Sequence, residues 1–154
     1  MINDMVFGNL NFDFIWTKYT QIDFFSQKPE IAIMISGEEN GTFEKGQYEA
    51  YQKLMDNWGE IHISFLKPIL MYYQNRREEL GYEIESNKNY PQIKSPEEIL
   101  NHITLVGINV PYAELYGGRS IGITFDCTWD EENGLGLRLS DEQIVKIGFQ
   151  DVAI

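Results

Sequence analysis

Apolar and polar residues alternate at the start of the chain. Val6, Leu10, Phe12, Phe14 and Trp16 share one parity, while Asn9, Asn11 and Asp13 take the other. Ile22 and Phe24 resume the apolar parity after an expected turn near Thr20. A period of two predicts strands in a meander. The stretch 30–37, "EIAIMISG", is apolar at nearly every position. It predicts a central strand whose outer face is covered or partly covered.

Beyond the "GEENGT" loop the period changes. Tyr48, Tyr51, Leu54, Met55 and Trp58 recur at helical spacing and predict a helix over about 44–57, with Thr42 as N-cap. Ile61, Phe65, Ile69, Tyr72, Tyr73 and Leu80 predict a second helix. Pro68 either kinks it or sits in the first turn of a fresh start, and Gly81 is placed to end it. Residues 83–95 read as a polar surface loop. "SPEE" at 95–98 marks a short helix, with Ser95 as cap, Pro96 at the first helical position, and Glu97 and Glu98 on the positive end of the dipole. "TLVGINVP", "RSIGITFDCTW", "LGLRL" and "IVKIGF" read as strands. Strands, then helices, then strands is not the alternation of a parallel βαβ sheet. It predicts an α+β fold in a single domain over 1–154: a largely antiparallel twisted sheet, two longer helices and one short helix, with strands at both chain ends.

The hairpin "FDCTWDEENGLGLRL" at 125–139 is the densest acidic stretch. Phe125, Cys127 and Trp129 share one face; Asp126, Thr128 and Asp130 share the other. Leu135, Leu137 and Leu139 must join the first set in the core. A two-residue turn at Asn133-Gly134 would break that match, because a slip of one residue exchanges the faces. A three-residue loop, Glu132-Asn133-Gly134, restores it and predicts pairing of Glu131 with Leu135, Trp129 with Leu137 and Cys127 with Leu139. Gly134 then takes the left-handed position. Thr128 would oppose Arg138, with Asp126 and Asp130 on the diagonals. Glu131 and Glu132 would stand at the tip, beside Asp141 and Glu142 of the next turn.

Composition then narrows the chemistry. The 154 residues carry 24 acids against 12 bases, a net charge of −12. That field repels nucleic acid and anionic membrane surfaces and draws in a basic protein. Nine Phe, nine Tyr and three Trp supply core material that disordered chains lack. The single cysteine excludes an intrachain disulfide and suits a reducing cytoplasm. No basic segment followed by an apolar run opens the chain, so no signal peptide is expected. The longest apolar runs, "IAIMI" and "ILMYY", are too short to span a bilayer.

Three chemistries compete for the hairpin. A calcium site or metal-dependent enzyme could use Asp126, Asp130 and Glu132. The spacing is not that of an EF-hand, since Gly134 stands fifth counted from Asp130 and the distal glutamate is missing. A Cys127 nucleophile would need His62 or His102, yet its parity with Phe125 and Trp129 predicts burial, which raises a thiol's pKa. A protein-contact surface would use Asp126, Asp130, Glu131, Glu132 and Arg138, with Tyr112 and Tyr116 of "YAELYGGRS" as a second candidate. The alternative to all three is a structural or regulatory domain whose acids only confer solubility.

One resemblance bears on this choice. Phe125, Asp126, Cys127, Trp129, Asp130, Glu132, Gly134, Leu135 and Gly136, followed by Gly148 and Asp151, resemble the C-terminal pattern of an uncharacterised bacterial domain family. Some members stand beside polymorphic toxin genes. The resemblance implies an immunity-type role, blocking a toxin by binding it, and supplies no catalytic residue. The combined expectation is a cytoplasmic, non-enzymatic domain that needs no cofactor and binds a basic protein, in an oligomeric state the sequence leaves open.

Overall fold

A computed structural model describes residues 1–154. Eight strands form one sheet in chain order: β1 (Ile2–Asp4), β2 (Gly8–Asp13), β3 (Ile15–Gln21), β4 (Glu30–Ile35), β5 (Ile103–Val110), β6 (Ser120–Cys127), β7 (Leu135–Ser140) and β8 (Gln143–Gly148). Every neighbouring pair is antiparallel except β4 and β5. A parallel pair needs a long crossover. The chain between them carries all the α-helices: α1 (Lys45–Asp56), α2 (Trp58–Ile63), α3 (Leu66–Glu79) and α4 (Pro96–Ile99). The α+β class holds, with strands at both ends. None of the helices is long and apolar enough to cross a membrane.

Local chemistry sets the helix ends. The expected cap at Thr42 moves to Glu44, where the buried Gln47 accepts from the Glu44 N–H at 2.9 Å. The Gln47 amide also donates to the Ser36 carbonyl at 2.7 Å, fastening α1 to the end of β4. Pro68 lies in the first turn of α3, where a missing N–H costs nothing. Gly81 has φ +83° and donates to the Glu78 carbonyl, while Tyr82 donates to Arg77. Those two bonds satisfy carbonyls that the end of α3 would otherwise leave free. Ser95 caps α4, accepting from the Glu98 N–H at 3.2 Å.

The helices cover one face of the sheet. Ile31, Ile33 and Ile35 of β4, Ile121, Ile123 and Phe125 of β6, and Leu135, Leu137 and Leu139 of β7 join Leu54, Phe65, Ile69 and Tyr73 in one buried cluster. The opposite face of β6 and β7 is closed by the chain's own end. A 3₁₀ turn, Gln150–Ala153, lies over Gly122 and Gly136. Asn109 donates to the Ala153 carbonyl and Arg138 to the Val152 carbonyl, each at 3.1 Å.

The N-terminal meander departs from its parity. Thr20 lies inside β3, paired with Ile31, and the reversal falls at Phe14 instead. Phe14 has φ +66° and is 94% exposed, so it is not a core residue. Alternation cannot distinguish a strand residue from a one-residue reversal that keeps the same parity. A bulky side chain in the left-handed region is strained by about 1 kcal/mol. Phe14→Gly should therefore raise the melting temperature, by about 2–4 °C for a chain of this size. A thermal melt that falls would show that the side chain serves the fold.

Candidate functional site

The acidic stretch begins on β6 and ends on β7, but its register differs from the sequence expectation. Phe125 pairs with Leu135, Ile123 with Leu137 and Ile121 with Leu139. This register faces apolar residues with apolar residues three times over, whereas the expected one set Glu131 opposite Leu135. The parity is unchanged and the connecting loop is longer. Cys127 pairs with Ile103 of β5 rather than with Leu139.

Residues 128–134 form that loop, and its interior holds it in shape. Trp129 is 6% exposed and packs 4.7 Å from the Tyr73 ring of α3. Gly134, at φ +63°, donates to the Asp130 carbonyl at 2.9 Å. The Asp130 carboxylate accepts from the Asn133 N–H at 3.1 Å. Thr128 donates its N–H to the His102 carbonyl, and its hydroxyl lies 2.8 Å from His102 Nδ1. The loop is thus tied to α3, to itself and to the start of β5.

Asp126, Glu131 and Glu132 are exposed and Asp130 is half-buried. None of the four pairs with a lysine or arginine. Asp126 accepts only from the Gln150 amide at 3.2 Å. Asp126 and Glu131 flank a cleft of about 370 Å³ that Asn101, His102, Thr104, Cys127 and Thr128 complete. Asn101, His102 and Thr104 are not legible in the sequence as neighbours of the acids, because His102 stands 26 positions from Thr128 in the chain. Only the register of β5 against β6 unites them.

Arg138 is elsewhere. It pairs with Gly122, not Thr128, and its guanidinium lies 3.8 Å over the Tyr116 ring. Tyr116 in turn donates to the Ile154 carbonyl at 3.0 Å, and Tyr112 to a Glu38 carboxylate oxygen at 3.3 Å. Arg138 and the two tyrosines therefore fasten their own end of the fold. Asp141 and Glu142 also leave the acidic field. They lie at the far end of β7, roughly 17 Å away at about 3.3 Å per residue. Both have positive φ, and Arg119 holds them: its side chain reaches Glu142 at 2.8 Å and its N–H reaches Asp141 at 3.0 Å. A larger cleft of about 640 Å³ adjoins that turn.

No group of three or more His, Cys, Asp or Glu side chains is arranged to hold a metal ion. A domain-of-unknown-function family, DUF6985, matches residues 6–154. The chain belongs to that family. No curated protein and no solved structure matches it.

Two remaining groups of this DUF6985 domain bear on reactivity. His62 is buried among Phe24, Phe25 and Trp58. Its Nδ1 lies 2.7 Å from the Trp58 carbonyl, and its Nε2 accepts from the Phe25 N–H at 3.2 Å. Donating from one nitrogen and accepting at the other, His62 is fully engaged in the fold. Cys127 is 4% exposed, and burial pushes its thiol up to about 11. A thiol of that pKa is protonated at pH 8, and only the thiolate is nucleophilic. Iodoacetamide at pH 8 should leave Cys127 unmodified in the folded chain and alkylate it in urea. Rapid alkylation without denaturant would contradict this placement.

Proposed function

We propose that this chain is a non-enzymatic, cytoplasmic protein-binding domain that occludes a basic partner. It is an immunity-type inhibitor of the kind implied by the resemblance of its 125–136 stretch. The observation that carries the reading is the acidic loop: Glu131 and Glu132 stand exposed and unpaired on a connection anchored by a buried tryptophan. Ordinary surface acids need no such anchor, while a rigid loop loses little conformational entropy on binding. The net charge of −12 adds long-range attraction for a basic protein.

The test uses Glu131→Lys/Glu132→Lys, because Asp130 is engaged in holding the loop. Protein captured by the intact chain from its native cells is identified, and its association with both forms is timed at low and moderate salt. The expected result is a basic partner whose association slows by about tenfold in the double variant and loses most of its salt dependence. Equal rates and equal salt dependence for the two forms would remove the assignment.

A further inference from the structure

The acidic loop does not end at its acids. The Trp129 ring lies 4.7 Å from Tyr73, Tyr73 stacks nearly parallel to Tyr90 at 6.2 Å, and Tyr90 lies 4.9 Å from Tyr82. A row of rings therefore runs from the acidic loop across α3 to the loop that follows it. Its inner members are buried, while Tyr82, Tyr90 and the adjacent Tyr72 are half-buried. Burial raises the Tyr72 and Tyr90 phenols, and Asp130, Glu131 and Glu132 follow Trp129, the first ring of the row, directly in the chain.

The outer end of the row is fixed in place. Arg77 donates from Nε to the Tyr90 carbonyl at 2.8 Å, Gln74 donates to the Ile93 carbonyl at 3.0 Å, and the Tyr73 hydroxyl donates to the Pro91 carbonyl. The local cations are already committed. Arg77 pairs with Glu83 at 2.6 Å; Arg76 pairs with Glu79 at 3.5 Å and lies over the Phe149 ring. The acids of the loop keep no cation of their own.

We propose that the tyrosine row and the acidic loop together form one docking surface for an arginine-bearing segment of a basic protein. The inference rests on the protein-binding reading and adds which cation the partner presents. A guanidinium can stack on a tyrosine face while its N–H groups donate to a carboxylate, and a lysine ammonium lacks that planar fork. The chain already uses the stacked arrangement internally, where Arg138 covers Tyr116.

The test titrates the intact chain against fluorescein-labelled octa-arginine and octa-lysine at two salt concentrations, reading anisotropy. Octa-arginine should bind at least fivefold tighter. Tyr82→Leu/Tyr90→Leu should bring that ratio close to one while leaving octa-lysine affinity nearly unchanged. Glu131→Lys/Glu132→Lys should weaken both peptides. Melting curves check folding, and single Tyr82→Leu reads the same ratio if the double variant melts early. Equal affinity for the two peptides, or an unchanged ratio in the tyrosine variants, overturns the composite surface and leaves the acidic-loop reading standing. No binding of either peptide, or binding indifferent to the charge reversal, overturns both.

Discussion

Trp129→Ala should destabilise the chain by about 3–5 kcal/mol in urea unfolding, the cost of emptying a large aromatic site in a core. The total stability of a domain this size is about 5–15 kcal/mol, so the loss is a large share. Trp129 is the residue through which fold and candidate site are coupled. Its ring is buried against Tyr73, while Asp130, Glu131 and Glu132 follow it directly in sequence. Removing the ring takes away the packing that holds the loop in one shape. Amide exchange at Gly134, whose N–H is bonded to the Asp130 carbonyl, should quicken more than exchange within β7. Trp129→Phe should recover part of the stability by refilling the site. A loss below about 1 kcal/mol with unchanged exchange at Gly134 would mean the loop holds its shape without the anchor.

That coupling was half legible in the sequence. The parity of Phe125, Cys127 and Trp129 against Asp126, Thr128 and Asp130 matches the burial found: the first three are buried, and of the second Asp126 and Thr128 are exposed and Asp130 half-buried. Parity alone fixes a face, not a register. Any even slip preserves it, and here the slip that aligns Ile121, Ile123 and Phe125 with three leucines prevails over the shortest loop. The same weakness puts Phe14 on the core face by parity, where it instead forms the reversal and is exposed. Helix ends were easier to read, because Pro68, Gly81 and Ser95 act locally. The surroundings of the acids were not readable. His102 and the tyrosines reach the loop only through the register of β5 against β6 and the packing of α3. Arg138 neighbours the acids only in the expected register; in the observed one it pairs with Gly122.

The covered back face leaves a trace in the sequence. Gly122, Gly136 and Gly148 pack under the C-terminal turn. Glycine inside a strand often marks close approach of another backbone. The expected consequence is severe at Gly122. A Cβ built there would lie 1.7 Å from the Ala153 carbonyl oxygen and 2.6 Å from its carbon. The obstacle is backbone, so no rotamer change relieves it and the turn must lift. Lifting frees the Ala153 carbonyl from Asn109, whose amide is buried, and the Val152 carbonyl from Arg138. An orphaned buried amide costs about 1–3 kcal/mol, and the overpacking adds about as much. Gly122→Ala should therefore destabilise by about 2–6 kcal/mol and expose residues 149–154 to carboxypeptidase in the folded state. Gly59→Ala is the matched control. It lies in α2 with nothing within 4 Å of the added Cβ, and helix propensity predicts a gain of up to about 1 kcal/mol. If the parent and Gly122→Ala are trimmed equally fast and melt alike, the turn does not seat on the sheet. The back faces of β6 and β7, glycine-lined beneath that turn, would then be open to solvent or to a partner strand.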